Sequence, residues 1–267
     1  MLRSQTAGLA LLLGIGIQGP AEALEAGAPL EEIERCVRGN LHADSSVQTV
    51  EMTPRDRMGA ERTIGAKIYW KRFEDGFSRL LARFTEPADI EGAGFLLIET
   101  EQSAEMHLYL PEIRKTRRIT SQALRGSIYG TDFSYEDFER LQGFNHAETR
   151  KLDPPGEVDG RPVFIIEARP APDAGSAYEK IVSYVDQEKC VPLKVELYEP
   201  PGRIRKLLSV DASKVERSGE SWVPRELLMR DLRDETQTQL RLLSVEVGAE
   251  IPNRTFRFGQ LGRKGAP

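Results

Sequence analysis

Most of this chain consists of short segments in which apolar residues alternate with polar ones. In "VPLKVELY", residues 191–198, an apolar side chain occupies every second position. A period of two places those side chains on one face of a β-strand and the intervening ones on the other face. The pattern therefore predicts a half-buried strand, and it constrains the fold more than any other feature of the sequence.

Comparable segments recur along the chain and are separated by turn signals such as "EDG" at residues 74–76 and "PPG" at residues 200–202. The total of about 11–13 short strands is typical of an antiparallel meander, barrel or sandwich. The segments do not alternate with long helices, so a doubly wound α/β fold is not expected. We expect a mainly β fold in which the sheet closes on itself or curls around a cavity.

Two helices are predicted beside the strands. Apolar residues recur at intervals of three and four from Leu30 to Leu41, which indicates an amphipathic helix over residues 29–41. A shorter helix is expected after Ser134, which together with Thr131 is a candidate N-cap. Three carboxylates in this segment suit a helix start, because they oppose the helix dipole. They are Asp132, Glu136 and Asp137.

The first 23 residues resemble a secretory signal peptide. Arg3 precedes an uncharged run over residues 6–17, and "AEA" follows at residues 21–23. The run is shorter than the roughly 20 apolar residues that a membrane span requires. We expect cleavage after Ala23 and a soluble, exported, single domain over residues 24–267.

Charge and cysteine content limit the possible partners and the compartment. The net charge of −5 argues against nucleic acid, and against an anionic membrane as the main partner. Cys36 and Cys190 are the two cysteines, and an exported pair is expected to form a disulfide. The alternative is two small buried side chains that never meet.

Catalytic and metal-binding signals are sparse. The three histidines, His42, His107 and His146, show no ligand spacing, and the cysteines form no CxxC motif. The sequence contains no GxSxG elbow, phosphate-binding glycine loop or HExxH motif. We therefore expect no enzyme, no cofactor and no metal, with His107 facing outward from a strand. A hydrolase of envelope lipids remains a minor alternative.

Two segments allow both a structural and a functional interpretation. The basic run "RKTRR", residues 114–118, fits a solvated strand face or a contact with lipid headgroups or a partner. In "SQALRGSIYGTDFSYEDF", residues 121–138, glycines precede several aromatic rings. This segment is either a flap over the mouth of the sheet or a connection whose rings complete the core.

Several motifs together resemble a known family. They are "GFLLIE", "MHLYLPEIRKTRRI", "SIYGTDFSYEDF", "YVDQEKCVPLKVELYEPPGRIRK" and "WVPRELLMRD". Over residues 33–258 the chain resembles the longer branch of the LolA-like outer-membrane lipoprotein-sorting proteins. The resemblance implies an incomplete antiparallel β-barrel of about 11 strands, covered by helices and open on an apolar cavity. It also implies a carrier of acyl chains across the periplasm.

We accordingly expect a monomeric periplasmic carrier of a lipoprotein or lipid. Its expected protein partner is an inner-membrane transporter or exporter, and no nucleic acid is expected. The alternative is a periplasmic module that docks on a membrane transporter without cargo. The candidate lipid-binding residues are the inward members of alternating strands and the rings of the flap. They are Phe84, Phe95, Leu97, Leu108, Leu110, Phe133, Tyr135, Phe138, Ile165, Leu193, Val195, Leu197 and Trp222.

Overall fold

The computed structural model describes residues 24–40, 44–101, 104–120, 123–143 and 148–262. The helices in these ranges are α1 (Leu30–Gly39) and α2 (Tyr135–Leu141), with short 3-10 turns at Ala123–Arg125, Ala212–Lys214, Asn253–Phe256 and Phe258–Gln260. The strands are β1 (Ser45–Arg55), β2 (Ile64–Arg72), β3 (Ser78–Glu86), β4 (Gly94–Glu99), β5 (Ala104–Leu110), β6 (Lys115–Ile119), β7 (Glu148–Val158), β8 (Arg161–Pro170), β9 (Lys180–Asp186), β10 (Pro192–Glu199), β11 (Arg203–Val210), β12 (Val215–Ser218), β13 (Ser221–Pro224), β14 (Glu226–Asp231) and β15 (Thr236–Val247).

Thirteen strands form one antiparallel sheet in the order β6-β5-β4-β3-β2-β1-β15-β14-β11-β10-β9-β8-β7. The sheet is not closed, because β6 and β7 are its two edges. Strands β12 and β13 make a separate hairpin. The mainly β, half-open architecture expected from the sequence is confirmed. The strand number exceeds about 11 partly because the segment "ESWVPRELLMRD" divides between β13 and β14.

The sheet curls, so that strands far apart in its order face one another. Ile68 of β2 and Ile166 of β8 line the same cavity on the concave face. The main core also lies on this face and includes Ile64, Leu80 and Phe95. The opposite, convex face is covered by the C-terminal segment, whose Phe256 and Leu261 pack against buried side chains of β2, β3 and β4.

Helix α1 covers one end of the concave face. It begins after Pro29 and ends before Asn40, close to the predicted 29–41, and its Ile33 is fully buried beside Phe164. A disulfide joins Cys36 of α1 to Cys190 in the β9–β10 turn. The expected pairing is therefore present in the structure, and it attaches α1 to the second half of the sheet.

Helix α2 lies inside the curl of the sheet. The side chain of Ser134 accepts a hydrogen bond from the Asp137 backbone N–H, and the Asp137 carboxylate accepts one from the Ser134 N–H. This capping box confirms the predicted helix start. Asp132 is not part of the cap: its carboxylate accepts hydrogen bonds from the hydroxyls of Thr236 and Thr238 on β15.

The structure also shows the positions of His107 and of the basic run at residues 114–118. His107 was expected to face outward into solvent, and this was wrong: it is 5% exposed beneath the ring of Phe258, because the C-terminal segment covers this face of β5. Burial lowers the pKa of His107 below its ordinary value, although Glu105 partly opposes the shift. The basic run begins in the β5–β6 turn, continues along the edge strand β6 and is exposed. The predicted signal peptide, His42 and His146 lie outside the described residues.

Candidate functional site

An apolar cavity of about 390 Å³ occupies the concave face between α1, α2 and the second half of the sheet. Its aliphatic lining comes from eight strands of the sheet, with contributions from both helices and from the β12–β13 hairpin. The apolar lining residues include Val37, Val50, Ile68, Phe138, Leu141, Ile166, Ala168, Ile181, Val185, Val191, Val195, Leu197, Leu208, Val210, Trp222, Leu227, Met229, Leu240 and Leu242.

Four of the thirteen candidate residues line this cavity: Phe138, Val195, Leu197 and Trp222. Val195 and Leu197 alternate along β10, and their register partners on β9, Ser183 and Ile181, line the cavity beside them. The alternation of "VPLKVELY" therefore identifies two cavity positions on β10.

Six other candidates belong to the concave face but pack in the solid core next to the cavity. They are Phe84, Phe95, Leu97, Leu108, Phe133 and Tyr135. The rings of Tyr135 and Phe138 contact Phe95, with centroid separations of 5.3 and 5.7 Å. The aromatic segment therefore fills the core, and only Phe138 also reaches the cavity. Tyr135 is 9% exposed and packs in the core, so it does not lie at the cavity mouth.

The remaining three candidates, Leu110, Ile165 and Leu193, lie away from the cavity lining. Ile165 and Leu193 pack in another cluster with Val163 and Val191, while the neighbour Ile166 lines the cavity. Consecutive residues of a strand face opposite sides, so Ile165 lies on the face of β8 away from the cavity and Ile166 lies on the face toward it. The pairing register of β10 with β9 also shifts between Pro192 and Lys194. Leu193 therefore does not share the cavity-facing side of β10 with Val195 and Leu197.

Most of the cavity lining was missed by sequence reasoning. Leu208, Met229 and Leu240 all line the cavity and belong to segments recognised as strands. Leu240 alone has polar residues on both sides, whereas Leu208 and Met229 each follow a leucine, so the sequence signal was only the apolar character of these segments. It could not choose the inward face, because that choice depends on the register of each strand against its neighbours.

A chain of ion pairs runs along the polar rim of the cavity. Arg150 of β7 bridges Glu34 of α1 and Glu148 of its own strand, at 3.1 and 2.9 Å. Arg140 of α2 donates to Glu148 at 2.8 Å and to Glu136 at 3.3 Å. Both helices are therefore connected to the edge strand β7 by alternating charges.

The inner part of this rim consists of buried side chains that carry opposite charges. Burial alone would lower the pKa of Arg140, but the carboxylates of Glu148 and Glu136 outweigh it and raise that pKa. Burial would likewise raise the pKa of Glu148, yet Arg140 and Arg150 hold it below the ordinary range. These groups remain ionised at neutral pH, so the rim stays charged beside an apolar interior.

A buried hydrogen-bond cluster separates this cavity from a second cleft. Asp137 lines the apolar cavity, whereas Lys206 and Tyr178, which both donate to its carboxylate, line a polar cleft of about 700 Å³. Burial and the neighbouring Asp137 carboxylate raise the pKa of Tyr178 well above its ordinary value. Tyr178 therefore stays protonated and continues to donate to Asp137.

Within the described ranges, no group of three or more His, Cys, Asp or Glu side chains is placed to hold a metal ion. None of the described helices has the length and apolar character needed to span a membrane.

A family model described as an uncharacterized protein matches residues 76–263. The chain belongs to this family. A domain from Vibrio parahaemolyticus described as an outer membrane lipoprotein-sorting protein domain has a similar structure, with a TM-score of 0.78 and 23% identity, over 87% of this chain and 97% of that one. No curated protein matches the chain in sequence.

Two further solved structures share the fold. A DUF1329 family protein from Desulfovibrio piger matches with a TM-score of 0.78 and 22% identity, covering 86% of this chain and 96% of its own. A LolA superfamily protein from Nitrosomonas europaea matches with a TM-score of 0.68 and 16% identity, covering 87% and 99%. The LolA-like fold indicated by the sequence motifs is therefore confirmed.

Proposed function

We propose that this protein is a periplasmic carrier that binds acyl chains of a lipoprotein or lipid and transfers them across the periplasm toward the outer membrane. The observation that carries the proposal is the apolar cavity of about 390 Å³ on the concave face. Its size falls in the range of about 300–1,000 Å³ that is usual for ligand sites.

The chemistry of the lining suits acyl chains. Exposing each methylene group to water costs about 0.8 kcal/mol, so an aliphatic interior retains a lipid during passage through an aqueous space. Ser183 is one of the few polar side chains on the floor of the cavity, between its register partners Ile166 and Val195. The interior therefore provides apolar contact with few directional hydrogen bonds, as a carrier of variable acyl chains requires.

The Cys36–Cys190 disulfide supports the proposed compartment, since such bonds persist in oxidising surroundings. The fold of a lipoprotein-sorting domain and the signal-peptide pattern of residues 1–23 support export to the periplasm. We further propose that the mature chain is a monomeric, non-catalytic domain over residues 24–267 that receives cargo from an inner-membrane transporter or exporter.

The test is native mass spectrometry of the mature protein purified from its own periplasm, followed by solvent extraction and lipid identification. We expect a bound species that contains acyl chains. A protein that stays bare after incubation with total membrane lipid would contradict the carrier function and favour a docking module without cargo.

A pair of matched variants tests the location. Ser183→Trp should fill the cavity and reduce lipid binding at least about tenfold, because the indole occupies the volume that a chain would take. Ser209→Trp is the control, since Ser209 is a half-buried residue of the neighbouring sheet region outside the cavity lining. Equal binding by two folded variants would place the lipid elsewhere.

A further inference from the structure

We propose that the β6 edge of the sheet and the adjacent C-terminal segment dock on an anionic membrane surface. This surface, here called the basic edge, consists of the exposed cations Arg114, Lys115, Arg117 and Arg118 with the exposed apolar side chains Ile113 and Phe258. The proposal does not depend on the cavity holding lipid.

The charges of the basic edge are mostly available to a partner. Arg118 pairs with Glu105 at 3.2 Å, but within the described residues no ion pair joins Arg114, Lys115 or Arg117 to a carboxylate. The whole chain carries a net charge of −5, so this concentration of cations is a local reversal of the average charge. Anionic headgroups attract such clusters within about one Debye length of the surface.

The geometry of the strand spreads the cations around the edge. Arg117 pairs in register with Leu108 of β5 and Arg118 with His107, so their side chains leave opposite faces of the sheet. Charges that project to both sides of one edge complement a broad anionic surface. A single acidic peptide added as a strand would satisfy the backbone of β6 but would meet these cations on two separate faces.

Exposed apolar side chains distinguish the basic edge from an ordinary protected edge strand. Lysine and arginine on an edge strand often serve only to prevent pairing with another sheet. That role does not require apolar exposure, yet Ile113 in the β5–β6 turn is 44% exposed and Phe258 is 48% exposed. Phe258 lies on His107, whose register partner is Arg118, so the ring is close to the cations. Apolar tips beside cations suit the boundary between headgroups and acyl chains.

The test is co-sedimentation of the mature protein with vesicles of phosphatidylcholine containing one third phosphatidylglycerol, compared with vesicles of phosphatidylcholine alone. We expect binding only to the anionic vesicles, with an affinity that falls as salt is raised. Equal binding to the two compositions, or no binding to either at low salt, would overturn the proposal.

Charge-reversed variants locate the contact. Lys115→Glu/Arg117→Glu should weaken binding to the anionic vesicles at least about tenfold, since each cation near such a surface contributes substantially. Lys151→Glu/Arg169→Glu makes the same change in total charge near the opposite edge, β7, at positions 70% and 55% exposed, and should bind like the wild type. Comparable losses in both variants would show a non-specific charge effect and overturn the assignment.

The apolar contribution and the cavity are tested separately. Ile113→Ser/Phe258→Ser should reduce vesicle binding while leaving its salt dependence, because the cations remain. Ser183→Trp should still bind vesicles when it no longer holds lipid in the cavity. The two measurements therefore test membrane docking and cargo binding separately. Loss of vesicle binding in folded Ser183→Trp alone would assign the vesicle interaction to the cavity and overturn the basic edge.

Discussion

Lys206 of β11 donates a hydrogen bond of 2.6 Å from its Nζ to Oδ2 of Asp137 on α2, and both side chains are buried. Asp137 faces the apolar cavity and Lys206 faces the polar cleft. The pair therefore forms part of the wall between the two spaces and holds α2 against the middle of the sheet.

Removing Lys206 should destabilise the fold. Lys206→Met leaves the buried Asp137 carboxylate with only neutral donors, and the expected loss is about 3 kcal/mol in the free energy of unfolding. The measurement is urea denaturation followed by circular dichroism. Lys194→Met is the matched control, because Lys194 pairs with Glu196 at 2.6 Å on a strand where its side chain is 33% exposed. The control should lose less than about 1 kcal/mol in the free energy of unfolding. An equal loss in both variants would contradict the stabilising role of the Asp137–Lys206 pair.

Asp132 should matter through its two threonine contacts. Asp132→Ala removes the acceptors of Thr236 and Thr238 and should cost about 2–4 kcal/mol, since hydrogen bonds to charged groups are stronger than neutral ones. Asp132→Asn keeps one acceptor and the shape, so a smaller loss is expected. Denaturant midpoints of the two variants give the comparison. A negligible effect of the alanine substitution would show that the hydrogen bonds from Thr236 and Thr238 to Asp132 do not stabilise the fold.

Glu139 on α2 should make stability depend on pH. Burial raises the pKa of its carboxyl from the ordinary 4.5 to about 8, with Arg140 opposing and Glu136 adding to the shift. The folded state then binds more protons than the unfolded state between these values. Stability contributed by the neutral acid is complete below pH 4.5 and is lost as the pH rises to about 8, by at most about 1.4 kcal/mol per pH unit.

Replacing Glu139 isolates this contribution. Glu139→Gln keeps the neutral shape, so the difference in unfolding free energy between variant and wild type should grow in favour of the variant from pH 5 to pH 8. Parallel pH profiles for the two proteins would mean that Glu139 titrates near its ordinary value. Thermal or urea unfolding at several pH values provides the data.

The disulfide should stabilise both the fold and the cavity wall. Cys36 and Cys190 are 154 residues apart in sequence, and Cys190 lines the cavity beside α1. Reduction should lower stability by about 2–4 kcal/mol, because the open chain gains conformational freedom on unfolding. The intact bridge should appear as a mass two daltons below the reduced protein. Cys36→Ser/Cys190→Ser is the control and should not respond to reductant, whereas free thiols in periplasmic material would contradict the bridge.

Local patterns in the sequence were sufficient for the elements of the fold. The period of two located the strands, and the spacing of apolar residues after Pro29 located α1 within one or two residues. Ser134, one of the two expected N-cap residues, caps α2 in the structure, and Asp137 completes a capping box with it. Each of these features depends on residues only a few positions apart, so one sequence contains the information needed to predict them.

The candidate site was predicted only in part, because its residues come from distant strands. Val195 and Leu197 of β10 line the cavity, whereas on β8 the lining residue is Ile166 and not the chosen Ile165. The sequence shows that two faces alternate, but the pairing of β8 with β9 decides which face is inward. A shift of register by one residue reverses the answer.

The sequence by itself determined the structural elements of the molecule: many antiparallel strands, two amphipathic helices and a pair of cysteines able to form a disulfide. The tertiary structure decided how these parts meet. It buried His107 beneath the C-terminal segment, joined Asp137 to Lys206, and left the basic edge exposed at one end of an open sheet. The physical reason is range: propensity and periodicity act between near neighbours, whereas burial and ion pairing depend on contacts that form only when the sheet curls.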